Sequence, residues 1–298
     1  MSVFIVQKKK SPFWYDEGIM KRLHLIPNFI TAFALACGLF VIFKVNMVEP
    51  GAGDYEMVHT AALLLLVAAA ADFMDGAVAR MMRAESDFGA IFDSLADAIS
   101  FGVAPSVLLL KTLSLAPGTP LSLCASAGAM IYSLCGVFRL VRFNVRSKEA
   151  EGHPELMAAH KRHFSGLPIP AAAAAAVSVN LIFLSPWVRG WIDLSNVERV
   201  LFLTLVMIVL GYLMVCRLKF PSSKALHFRI PSFHLAFLSV LVAVFILYGV
   251  LYFFPLIFAF VSWSYIALGL ILATIRLIAG KKSKTLEEFE PDPEEEDS

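Results

Sequence analysis

Cysteine is scarce in this chain of 298 residues, and net charge is nearly absent. The four cysteines, Cys37, Cys124, Cys135 and Cys216, fall in apolar runs and show no paired spacing. That pattern excludes a disulfide framework or a cysteine zinc site, and leaves four free, buried small hydrophobes. A formal net charge of +1 says nothing useful about partners, and no nucleic-acid partner is expected. A secretory signal is not expected either, because Lys8–Lys10 run into the polar stretch SPFWYDEG and not into an apolar core. No convincing internal repeat is present, which argues against the repeat-built transporter folds. What fills the chain instead is apolar: 58% hydrophobic residues and a mean hydropathy of +0.74. Such a composition belongs to an integral membrane protein.

The apolar runs predict an all-α, polytopic bundle of about eight transmembrane helices, over 29–48, 58–80, 88–113, 121–141, 167–188, 200–217, 233–253 and 255–278. Lysine and arginine gather before, and at alternate connections between, these spans, whereas the links at 48–56, 114–120, 185–198 and 252–255 are poor in cations. The positive-inside rule then puts both termini in the cytoplasm. The last two spans also fit a single re-entrant hairpin. Residues 1–26 read as an interfacial helix or a basic tail, 27–280 as the membrane domain, and 281–298 as a disordered acidic tail.

Into this apolar setting the stretch DFMDGAVARMMRAESDFGAIFDSLAD inserts Asp72, Asp75, Asp93 and Asp97. A carboxylate in a lipid-buried helix is costly, so chance salt bridges are a poor explanation for four. Asp72 and Asp75 are three apart and Asp93 and Asp97 four apart, so each pair shares a helix face. A fold at the polar link MMRAES brings the faces together. Converging carboxylates need neutralising charge, and hard divalent cations with all-oxygen ligands supply it. Gly76, Ala79 and Gly89 leave room beside the acids, and Arg80 offers a planar fork for phosphate oxygens. Asp87 is predicted to cap the third helix, and Asn28, after Pro27, the first.

The pattern D-x2-D-G-x2-A-R-x8-G-x3-D-x3-D resembles the signature of the CDP-alcohol phosphotransferase family, with every spacing met. The resemblance implies exchange of CMP for an alcohol on a CDP-activated substrate, with a pair of Mg²⁺ or Mn²⁺ ions held by Asp72, Asp75, Asp93 and Asp97. It assigns proton acceptance to Asp97, and contact with the nucleotide to Asp72, Gly76, Ala79, Arg80 and Gly89. The family often carries a Pro-Asn pair followed by Thr, which would bring Asn28, ahead of Thr31, near the nucleotide.

Further along, Arg139, Arg142 and Arg146 share one helix face. They fit either a lipid-headgroup anchor or a cationic cleft for an anionic acceptor or the lipid phosphate. The segment R-L-V-R-F-N and the later F-S-G-L-P-I-P-A are similar to segments of the phosphatidylserine synthase branch of the family. So is M-V-C-R-L-K-F-P-S, although Cys216 and Phe220 stand where that branch usually has a hydroxyl and a tyrosine. The branch implies phosphatidyl transfer from CDP-diacylglycerol to L-serine in a bacterial cell membrane, with Arg139 or Arg142 on the serine carboxylate and homodimers as the family habit. Choline or glycerol 3-phosphate as acceptor, or a non-catalytic lipid transporter, are the rival readings. Between these segments lie His153, His160 and His163, whose loose spacing beside Lys161 and Arg162 reads as a loop over the site and not as a metal centre.

Overall fold

The computed structural model describes residues 25–82, 86–149, 163–189, 195–216, 218–221 and 253–279. Within them the chain is helical apart from one short ribbon. Helix α1 (Leu25–Asn46) packs along α2 (Tyr55–Met82). Next comes a membrane-length rod, Asp87–Thr112, made of α3 (Asp87–Asp97), a π-helical turn (Ala98–Val103) and α4 (Ala104–Thr112). Helix α5 (Pro120–Glu149) lies along α8 (Asn196–Val215), with α6 (Ile169–Leu184) and the short α7 (Pro186–Arg189) between them in sequence. Helix α9 (Phe254–Ala279) closes against α6.

Among the described residues six helices are long and apolar enough to cross a membrane: α1, α2, the α3–α4 rod, α5, α8 and α9. The expected fifth span, 167–188, is instead a shorter helix of 16 residues followed by a separate turn of helix. Proline sets both limits: Pro168 is the residue before the first turn, and Pro186 has no N–H to continue the ladder beyond Ser185. The expected seventh span lies almost wholly outside the described residues, as do the N-terminal segment and the acidic tail. Two capping expectations are corrected. Ser86, not Asp87, caps α3, accepting from the Gly89 N–H at 3.1 Å. Helix α1 already begins at Leu25, so Asn28 lies within it and does not cap it.

Small residues set the packing. Ala68 and Ala71 of α2 and Ala172, Ala173, Ala175 and Ala176 of α6 are buried, which draws backbones together where lipid gives little apolar driving force. Helix α1 crosses close to the π-turn. A Cβ on Gly38 would run into the Ser100 side chain, so no larger residue fits.

The ribbon joins two segments far apart in sequence. Strand β1 (His163–Ser165) pairs antiparallel with β2 (Lys219–Pro221), Phe164 opposite Phe220. Beside it Gly166 has φ +84°, and its N–H donates to Leu218 O at 2.8 Å. A side chain there would meet the Met214 carbonyl, so glycine is required twice over. Two of the motifs in the sequence are thus one structural unit. Of the three histidines, His163 lies in β1, while His153 and His160 are outside the described residues.

Candidate active site

The acids meet at the end of the bundle where α2 finishes and α3 begins. One carboxylate oxygen from each of Asp72, Asp75 and Asp93 lies within 4.8 Å of the others. Asp97 joins the cluster through Asp72, whose carboxyl lies within interaction range of both Asp93 and Asp97. The four predicted acids therefore converge, with Asp97 one step behind the trio. Asp75 is buried and accepts a hydrogen bond from the Thr31 hydroxyl of α1.

The donor set suits a hard cation. It is all carboxylate oxygen, and Asp93 Oδ1 is buried with no hydrogen-bond partner among the described residues. Carboxylates hydrogen-bond one another only by sharing protons, so ionised acids this close require a cation between them. Mg²⁺ and Mn²⁺ fit such a site.

The small residues and cations are placed around this cluster. From Arg80, Nη1 comes within 3.4 Å of where a Gly76 Cβ would stand, so the guanidinium folds over Gly76 while staying exposed. Ala79 is half-buried on the same helix. Gly89 sits where a Cβ would come within 3.2 Å of Asn28 Oδ1, which brings Asn28 to the start of α3. Arg139 is buried at 9% exposure, lies within electrostatic reach of Asp97, Arg142 and Tyr265, and has Nε without a hydrogen-bond partner. Arg142, by contrast, donates from Nη1 to Val215 O at 2.8 Å and so fastens α5 to the end of α8. The two arginines expected to act alike are separated by function: one faces the acids, the other also ties backbone.

Three contacts at the site have no counterpart in the expectations. Thr31 supports Asp75, and the signal was a hydroxyl in an apolar run one turn after Pro27. Asn144 Nδ2 donates to Ser94 Oγ at 2.8 Å and links α5 to the acid-bearing helix. Tyr132, fully buried on α5, donates its hydroxyl hydrogen to Phe101 O at 3.0 Å. A single tyrosine in an apolar helix gives no sequence signal for such a partner.

Known proteins resemble this chain along most of its length. A protein from Helicobacter pylori named CDP-diacylglycerol–serine O-phosphatidyltransferase is 31% identical over 77% of this chain and 91% of its own length. Proteins of the same name from Bacillus subtilis and Methanocaldococcus jannaschii are 31% and 30% identical, each over 68% of this chain and over 93% and 77% of their own lengths. A family model described as CDP-alcohol phosphatidyltransferase matches residues 24–209, a stretch that takes in all four acids, both arginines, α1 to α7 and most of α8. By that match, and by relatives aligned along most of their length, the chain belongs to the CDP-alcohol phosphatidyltransferase family.

Proposed function

We propose that this chain transfers the phosphatidyl group of CDP-diacylglycerol to L-serine, giving phosphatidylserine and CMP. The observation that carries the reading is the convergence of Asp72, Asp75, Asp93 and Asp97 with the buried Arg139 at one end of the bundle. The named relatives support serine as acceptor.

Asp72, Asp75 and Asp93 would hold the divalent cations, with Asp97 at the edge. A cation such as Mg²⁺ or Mn²⁺ held by these residues would supply charge neutralisation at the diphosphate and at the departing CMP. The chain's own residues do the rest. Arg80, over Gly76, faces the nucleotide phosphates. Asp97 accepts the proton of the serine hydroxyl as its oxygen bonds to the phosphorus and the bond to CMP breaks, the electron pair leaving with CMP. Arg139, within reach of Asp97, takes the serine carboxylate.

The direct test is CMP release from CDP-diacylglycerol with serine, choline or glycerol 3-phosphate as acceptor. Serine is expected to turn over; turnover with choline or glycerol 3-phosphate and none with serine would sink the acceptor assignment. In the same assay Arg139→Lys should raise KM for serine about ten- to hundred-fold, the cost of one charged hydrogen-bond partner. KM for CDP-diacylglycerol should stay within about two-fold. Loss of lipid affinity with serine affinity kept would move Arg139 to the lipid phosphate.

The full membrane domain is read as 27–280, with eight spans, both termini cytoplasmic and the acids facing the cytoplasm of a bacterial cell, in the family's usual homodimer. Arg142, Arg146 and Lys148 at the end of α5 support that orientation. In a cysteine-free background, Asp54→Cys should react with an impermeant thiol reagent from outside intact cells and Lys148→Cys should not. Labelling of both from one side would break the topology.

A further inference from the structure

The rod that carries Asp93 and Asp97 changes its winding one residue after Asp97. Through Ala98–Val103 it is π-helical, and the N–H of Ala104 bonds to Ile99 O, five residues back. Pro105 is the local cause. It offers no N–H to Phe101 O, four residues earlier, and in an α-helix its ring would press on that carbonyl. A wider turn relieves the clash.

The Phe101 carbonyl then takes its hydrogen from another helix. Tyr132 OH donates to it at 3.0 Å, and the next residue of α5, Ser133, donates from Oγ to Gly102 O at 2.9 Å. Ser106 and Ser133 hydroxyls lie 2.9 Å apart, which closes the network. On the other side α1 presses in: Ser100 Oγ donates to Ala34 O at 3.4 Å, and Gly38 clears the way for the Ser100 side chain. Consecutive side chains of α5 thus grip consecutive carbonyls of the turn while α1 holds its back.

The turn sets the phase between two faces of one rod. Beyond it Leu108 and Leu109 are buried, and Thr112 accepts from Asn180 Nδ2 at 2.9 Å, so α4 is anchored in the core. Before it Asp93 and Asp97 face the acid cluster. In an unbroken α-helix Leu108 would fall about three turns after Asp97 and share its face, whereas one extra residue in a turn shifts the phase by about 100°. With α4 fixed in the core, loss of the π-turn would swing Asp97 off the cluster.

We infer that Tyr132 is a positioning residue for the transfer reaction, its hydroxyl holding open the π-turn that aims Asp97 and Asp93 at Asp72. The inference rests on the reading of Asp97 as proton acceptor. Full-length wild type, Tyr132→Phe and Pro105→Ala are compared in detergent by CMP-release kinetics and by melting temperature without and with Mn²⁺. Tyr132→Phe should lower kcat about ten- to hundred-fold, as for a misplaced catalytic group, with KM for CDP-diacylglycerol within about two-fold. The upward shift in melting temperature on adding Mn²⁺ should shrink. Pro105→Ala gives Phe101 O a donor of its own, so the metal-free melting temperature should match or exceed wild type while kcat falls just as far. A tyrosine that serves stability alone predicts the reverse, an active Pro105→Ala. Wild-type kcat in both variants, or a lowered kcat with an undiminished Mn²⁺ response, would overturn the inference. Absence of CMP release by wild type would instead overturn the functional reading on which it rests.

Discussion

Asp97→Asn should still bind CDP-diacylglycerol and yet lower kcat about 10²- to 10⁴-fold, the range for loss of a positioned general base. Asp97 stands one step behind the trio of closely set carboxylates, within reach of both Asp72 and Arg139. The amide keeps the shape and one accepting oxygen but cannot take a proton. Asp72, Asp75 and Asp93 remain, so the lipid nucleotide keeps its site. Equilibrium binding of CDP-diacylglycerol, paired with single-turnover CMP release, separates the two effects. Near-normal turnover with serine in the variant would remove Asp97 from the role of base.

The second large effect concerns the trio itself. Chelation with EDTA should bring CMP release to background, and Mg²⁺ or Mn²⁺ should restore it. Asp72→Asn or Asp93→Asn should weaken metal and nucleotide binding together, since the diphosphate binds through the cations these residues would hold. Thr31→Val is a graded version of the same test. Its hydroxyl donates to Asp75, and loss of such an outer partner lowers metal affinity about ten- to hundred-fold. A titration of activity against Mn²⁺ reads that shift at saturating lipid, with kcat at high Mn²⁺ nearly recovered. Full activity after exhaustive chelation would end the metal reading altogether.

The acid cluster was legible because helical periodicity is rigid: spacings of three and four leave no choice of face, and a short polar link leaves little choice of fold. Arg139 and Arg142 looked equivalent for the same reason. Their difference comes from α8, whose end presents the Val215 carbonyl to Arg142 alone among the two, and no local spacing encodes that neighbour. The π-turn was hidden because Gly102 and Pro105 sit in a run apolar enough to read as one continuous span. Proline also shortened the fifth helix, where hydropathy continues past the residue at which the hydrogen-bond ladder stops. The ribbon could not be read at all, because its three-residue strands carry no period and α6, α7 and α8 lie between them in sequence.

The Thr31–Asp75 bond has a consequence for how the chain is made. A ribosome delivers helices in order, N-terminal first. When Asp75 leaves the exit tunnel, Thr31 on the preceding helix has already been synthesised and is at hand to receive it. Asp93 and Asp97 follow next, and their neighbour Asp72 was made one helix earlier. Arg139 arrives only later, on α5. Asp75, Asp93 and Asp97 thus enter an apolar surrounding after a polar neighbour and before the buried Arg139. Nascent α1, α2 and α3 can shelter their own acids during insertion, and the cationic wall is added to a cluster already assembled.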